Sequence, residues 1–234
     1  MGAKVTTIGF DADDTLWQNE QFFQLTQARF TALLADFADP DHLSERLLAA
    51  ERRNLGHYGF GIKGFTLSMI ETALDVTDGK VPGHVIRALV DAGQEMLSHP
   101  IELLPHAKRV IAELARSHNI LLITKGDLLD QERKLAQSGL GDFFDGIEIV
   151  SDKTPAVYLS AFARFGGVAQ GLMVGNSLRS DVLPALEAGA WAIHVPHTLT
   201  WSYEHAVPPV DHLKFRTLGD LSQLPNCLAD LPQI

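Results

Sequence analysis

The chain has 234 residues, 46% of them hydrophobic, enough to bury a sizeable core in one large domain or one and a half. Nineteen Lys and Arg against 29 Asp and Glu give a formal charge of −10, and with no basic block this speaks against sequence-independent capture of nucleic acid. A single cysteine, Cys227, excludes an internal disulfide, and no stretch approaches the roughly 18 apolar residues of a membrane span, so a cytoplasmic setting without membrane partners is expected.

The first element is the apolar, β-branched run Val5-Thr6-Thr7-Ile8-Gly9-Phe10, read as a buried strand that empties into Asp11-Ala12-Asp13-Asp14-Thr15. Three carboxylates within four positions repel one another and call for a cation or a shared proton. From Gln18 to about Pro100 the spacing of apolar residues becomes helical. Segments Asn19 to Phe37, His42 to Leu55, Phe65 to Val76 and His84 to Leu97 predict an all-helical insert over residues 18–99. Gly56, Gly59, Gly61 and Gly64 fall within nine residues of it, a density expected to break regular structure.

Beyond Pro100 strands and helices alternate. A helix opened by Pro105 precedes the strand Asn119 to Thr124; a helix from Leu128 to Ser138 precedes a strand over Phe143 to Val150. A helix over Tyr158 to Phe165, the strand Gly171 to Val174, a helix over Val182 to Ala188 and the strand Ala190 to Val195 follow. This alternation predicts an α/β fold, a doubly wound parallel sheet built from residues 1–17 and 100–234. The ten histidines form no HxH or HxxxH array, so no zinc site is expected.

Polar residues recur where the strands end: Asp11-Ala12-Asp13-Asp14-Thr15, Thr124 beside Lys125, Lys153 before Thr154-Pro155, and Gly175-Asn176-Ser177 with Asp181. In order and context these four motifs resemble those of the haloacid dehalogenase-like hydrolases, and the helical insert resembles the cap that many members carry between the first and second motifs.

The resemblance implies that Asp11 is a nucleophile forming an aspartyl-phosphate, splitting one displacement into two easier ones. Asp13 would protonate the leaving oxygen and then deprotonate water, with a pKa raised by its acidic neighbours. Members that break carbon–halogen bonds lack an acid at that second position, so Asp13 implies phosphoryl chemistry. Thr124 and backbone N–H groups around Ala12 and Lys125 would hold phosphate oxygens, and Lys153 would neutralise charge. Mg2+ is the implied cofactor, held by Asp11, the main-chain carbonyl of Asp13, Asn176 and Asp181. Asn176 stands where an Asp is usual, removing a charge from that set. Asp14 stands where Gly is frequent and is assigned a structural, capping role.

Specificity is expected in the insert, where Tyr58 and Lys63 are candidates for substrate contact, with Lys125 a further candidate in the core. The reading is a Mg2+-dependent phosphatase of a small phosphorylated metabolite, monomeric or homodimeric. Its alternatives are a phosphomutase, and a phosphate-sensing or partner-binding protein weakened in catalysis by Asn176.

Overall fold

The computed structural model describes residues 4–232. The chain forms two compact units, one made of Met1–Glu20 with Ile101–Ile234 and the other of Gln21–Pro100.

The chain opens with strand β1 (Thr7–Phe10) and then runs through four helices, α1 (Glu20–Leu33), α2 (Pro40–Tyr58), α3 (Ile62–Val76) and α4 (Gly83–Ser98). Phe30, Leu34, Leu43, Leu47, Phe65, Met69, Val85 and Leu89 bury the apolar faces of these helices in one cluster. Asp39 caps α2 by accepting the His42 N–H at 3.0 Å, with Pro40 in the first turn where no N–H is needed. The glycine-dense stretch corrects the sequence reading. Gly56 lies inside α2 and Gly64 inside α3, so the break is confined to Gly59, Phe60 and Gly61.

Helix α5 (Ala107–Leu114) leads to β2 (Asn119–Lys125), α6 (Leu128–Ser138) and β3 (Gly146–Val150). Then come α7 (Pro155–Ala163), β4 (Gly171–Gly175), a π-helical turn over Leu178–Val182, α8 (Leu183–Glu187) and β5 (Trp191–His194). The last elements are β6 (Phe215–Thr217) and α9 (Leu224–Ala229). Asp127 and Thr154 cap α6 and α7, and Gly139 closes α6 with a left-handed φ of 63°.

The strands form one parallel sheet in the order β3-β2-β1-β4-β5-β6. Its two faces are covered separately, as the period-2 alternation of a strand requires. Ile8, Phe10, Ile120, Leu122, Leu172 and Val174 face α5, whereas Leu121, Ile123 and Met173 face α7 and α8. The first strand is shorter than expected, although Thr6 already exchanges ladder bonds with Gln170 and Asn119. The third begins only at Gly146, after a 3-10 turn over Gly141–Phe143. Cys227, in α9, packs partly buried against the core, as a small filler should. Among the described residues no helix is long and apolar enough to cross a membrane.

Gly171 is required by close approach: a Cβ there would meet the fully buried Phe162 ring at 2.7–2.8 Å. Gly171→Ala is therefore expected to destabilise the α/β unit by roughly 1–3 kcal/mol. Gly56→Ala, in open space within α2, should stabilise by about 0.5–1 kcal/mol. Urea unfolding of the two variants beside the parent checks both signs.

Candidate active site

The site is built at the carboxyl ends of the central strands, the place where open α/β sheets gather ligands. Asp11 follows β1 directly and its N–H donates to the Val174 carbonyl at 2.9 Å, so the ladder to β4 runs one residue past the strand and fixes the Asp11 backbone. The chain then turns tightly. The N–H groups of Thr15, Leu16 and Trp17 converge on the Ala12 carbonyl at 3.2, 2.8 and 3.4 Å, and the Asp14 N–H donates to the Trp17 carbonyl at 2.7 Å. Asp14 takes the left-handed conformation this turn needs, with φ 59°, and its carboxylate accepts the N–H groups of Asn19 and Glu20 at the start of α1. That is the structural role expected for it.

Lys153, in the loop after β3, is the buried hub. Its Nζ lies 2.5 Å from Asp11 Oδ1 and 2.7 Å from Asp181 Oδ1. The other Asp181 oxygen accepts the Ser177 N–H at 2.9 Å, so both of its oxygens are engaged within the chain. Only glycine fits at 175, because a Cβ there would stand 2.2 Å from Asp181 Oδ2. Burial pushes the Asp11 carboxyl up, reinforced by the Asp181 charge and opposed by Lys153, to about 7. For Lys153 burial favours the neutral amine, but Asp11 and Asp181 outweigh it and hold the ammonium above its ordinary range.

Thr15 joins this centre to the loop after β4. Its hydroxyl lies 3.1 Å from Asp11 Oδ2 and 3.2 Å from Asn176 Oδ1, and it accepts the Asn176 N–H at 3.1 Å. One hydroxyl hydrogen satisfies only one of those two oxygens at a time. Two hard oxygen donors thus converge on one spot, which suits a small divalent cation that keeps several waters. Asp11 and Asn176 are the side chains that fit such an ion, while Asp181 is held by Lys153 and Ser177. Among the described residues no three His, Cys, Asp or Glu side chains cluster as a metal site; the set here is one carboxylate, Asp11, with the Asn176 amide oxygen.

Asp13 departs from expectation. Its Oδ1 accepts from Trp17 Nε1 at 2.7 Å and from Lys134 Nζ at 2.9 Å; its Oδ2 accepts from Gln131 Nε2 at 2.8 Å. Burial opposes its ionisation, yet the Lys134 ammonium and these donors prevail and hold the carboxyl below its ordinary range, correcting the elevated value read from its acidic neighbours. Burial and the Asp13 charge instead raise Asp14, to about 6.

Thr124 is buried at the end of β2. Next to it, Lys125 Nζ donates to Ser180 Oγ at 2.8 Å and forms an ion pair with Glu204. Tyr58, exposed in the last turn of α2, and Lys63, exposed in the first turn of α3, belong to the helical unit. The residues that sequence reasoning passed over are Thr15, Gln131, Lys134, Ser177, Ser180 and Glu204. A signal existed for two of them: Gln131 and Lys134, with Asp130, are polar residues on the buried stripe of α6, where an amphipathic helix places apolar ones.

The family model described as haloacid dehalogenase-like hydrolase matches residues 5–189. A glyceraldehyde 3-phosphate phosphatase of Methanothermobacter thermautotrophicus is 24% identical over 232 residues, spanning 94% of this chain and 97% of the relative. The crystal structure of a haloacid dehalogenase-like family hydrolase from Xanthomonas campestris is 38% identical, with a TM-score of 0.87 over 98% of this chain and 95% of that one. The L-2-haloacid dehalogenase of Xanthobacter autotrophicus, with chloropropionic acid covalently bound, shares the fold at 18% identity and a TM-score of 0.65, over 97% and 100% of the two chains.

Because the folded state keeps Asp11 protonated to a higher pH than the unfolded chain does, its burial makes stability fall as pH rises from about 4 to about 7. Urea unfolding in metal-free buffer should show this decline shrinking in Asp11→Asn, by an amount on the order of a few kcal/mol across the window. A parallel pH dependence in the two proteins would contradict the buried, lysine-bridged geometry. With its strand-end motifs, parallel sheet and buried aspartate–lysine centre, and with the family matched over most of its length, this chain belongs to the haloacid dehalogenase-like hydrolases.

Proposed function

We propose that the protein is a Mg2+-dependent phosphatase that hydrolyses a small phosphomonoester through an aspartyl-phosphate on Asp11. The observation that carries this reading is Asp13. A second carboxylate stands two residues past the nucleophile; Trp17, Gln131 and Lys134 fix it at 2.7–3.1 Å as the carboxylate, the form that accepts a proton from water and, once protonated, can deliver it to a leaving oxygen. Displacing halide from carbon needs no such proton, since halide leaves as a weak base; releasing an alkoxide from phosphorus does. The phosphatase of Methanothermobacter supports the same direction.

In this reading the Asp11 carboxylate attacks phosphorus while Lys153, bonded to Oδ1, keeps it oriented and offsets the charge gathering on the phosphoryl oxygens. Thr124 and main-chain N–H groups at the tips of β1 and β2 hold those oxygens. An arriving phosphate dianion places like charge beside Asp13 and favours its protonated form, so Asp13 can donate to the leaving oxygen. Once the alcohol departs, Asp13 returns to the carboxylate that its Lys134 contact stabilises and takes a proton from the water that opens the aspartyl-phosphate. Asp11, Asn176 and the main-chain carbonyl of Asp13 would hold Mg2+, and Asp181 would act through Lys153. The ion would supply charge neutralisation between the nucleophile and the phosphoryl group. Tyr58 and Lys63 of the helical unit are proposed for substrate contact.

Initial rates on p-nitrophenyl phosphate across a Mg2+ titration test the reading. Turnover should require Mg2+, vanish in Asp11→Asn, and fall about 10²–10⁴-fold in Asp13→Asn. Asn176→Asp should lower the Mg2+ requirement by restoring a ligand charge. Halide release from 2-chloropropionate with no phosphate release from a broad phosphomonoester panel would overturn it. A silent parent that gains turnover on Asn176→Asp would instead favour the phosphate-sensing alternative, and an isomerised phosphate ester without free phosphate the phosphomutase.

A further inference from the structure

Glu204 lies in a 3-10 turn (Ser202–Glu204) beyond the last family-matched residue, yet its side chain is only 11% exposed and reaches two of the strand-end motifs. Its Oε2 accepts from Ser177 Oγ at 2.5 Å and from Ser180 Oγ at 2.6 Å, and its Oε1 pairs with Lys125 beside Thr124. Ser177 and Ser180 carry these bonds straight into the loop that holds Asn176 and Asp181. Ser177 Oγ accepts the Ser180 N–H at 2.9 Å, the Ser177 N–H donates to Asp181 Oδ2, and Asp181 Oδ1 meets Lys153, which meets Asp11. A continuous chain of polar contacts therefore runs from Glu204 to the nucleophile.

The loop it reaches is one that needs holding. Residues Leu178–Val182 form a single π-helical turn, a rare conformation frequent at functional sites. Outside support comes from Tyr158, whose hydroxyl donates to the Ser180 carbonyl at 2.8 Å, and from the Trp201–Glu204 segment. That segment is itself anchored: the Arg179 guanidinium stacks 3.8 Å over the Tyr203 ring and donates to its carbonyl at 3.3 Å. A buried carboxylate–ammonium pair is a poor way to gain stability, because desolvation consumes much of the attraction. What the pair offers here is register between the tip of β2 and the loop after β4.

We propose that Glu204 is a positioning residue for the reaction at Asp11, fixing the Asn176–Asp181 loop against the tip of β2 through Ser177, Ser180 and Lys125. Its effect on turnover rests on the phosphatase reading; its effect on the loop does not.

The test uses the full chain as parent, Glu204→Ala and Glu204→Gln, the last keeping an acceptor oxygen for the serines without the charge. Amide hydrogen exchange read by mass spectrometry should be faster by about tenfold in peptides covering residues 175–183 of Glu204→Ala, and unchanged in peptides of α2 and α3. Glu204→Gln should recover part of that protection, and it carries the test if the alanine variant does not fold. With p-nitrophenyl phosphate, kcat should fall about 10–100-fold in Glu204→Ala while KM moves less than about threefold, the mark of displaced groups rather than lost binding. Parent-like exchange over 175–183 overturns the proposal whatever the activity, and so does faster exchange with kcat unchanged. Where the parent hydrolyses nothing, the phosphatase reading fails on its own, and calorimetric titration with inorganic phosphate decides: affinity weakened at least about fivefold in Glu204→Ala upholds the positioning role, and equal affinity overturns it.

Discussion

The buried ammonium of Lys153, shared between Asp11 and Asp181, is the contact on which the rest of the molecule depends. Two carboxylates and one lysine, all buried, form an arrangement that is costly to desolvate, offset by a donor within reach of each carboxylate oxygen. Those donors are structural commitments made elsewhere. Thr15 comes from the turn after β1, the Ser177 N–H from the loop after β4, and the space for Asp181 from the missing side chain of Gly175. The sheet order does the rest: β1 lies between β2 and β4, so the motifs that flank Asp11 in space come from neighbouring strands, although they stand more than a hundred residues away in sequence.

Asp13 shows how differently two carboxylates two residues apart can be treated. Asp11 is raised by burial beside another carboxylate, whereas Asp13 is lowered by a lysine of its own. The two side chains belong to separate charge networks, Asp11 to the one centred on Lys153 and Asp13 to the one centred on Lys134.

Much of this was legible in the chain. The fold could be read because the strands are short apolar runs ending in polar residues and alternate with helical spacing, a few helices also carrying explicit caps, such as Asp127 with Gly139 around α6. Asp11, Thr124, Lys153, Asn176 and Asp181 stood out because each follows such a run. The glycine stretch misled, since a glycine in an exposed helical turn weakens a helix without ending it, and Gly56 does no more. Strand β6 escaped because Phe215–Thr217 offers three residues and no alternation to detect. Glu204 and Lys134 escaped for a different reason. Each is an ordinary charged residue whose significance is a partner 79 or 121 positions away, a relation that no local pattern encodes.

The place where the helical unit leaves and re-enters the α/β unit has a consequence for how the chain folds. Gln18 donates to the Glu102 carbonyl, Leu104 donates to the Leu16 carbonyl, and Trp17 and Leu103 form an antiparallel bridge. The two ends of the insertion are thus stitched together before the chain reaches β2. Pairing β1 with β2 would otherwise mean closing a loop of more than a hundred residues; once the stitch forms, only a short stretch containing α5 remains to be closed. The excursion is then a side branch of the sheet, and because closure entropy grows by only about 0.6 kcal/mol for each doubling of loop length, its length can change during evolution at small cost.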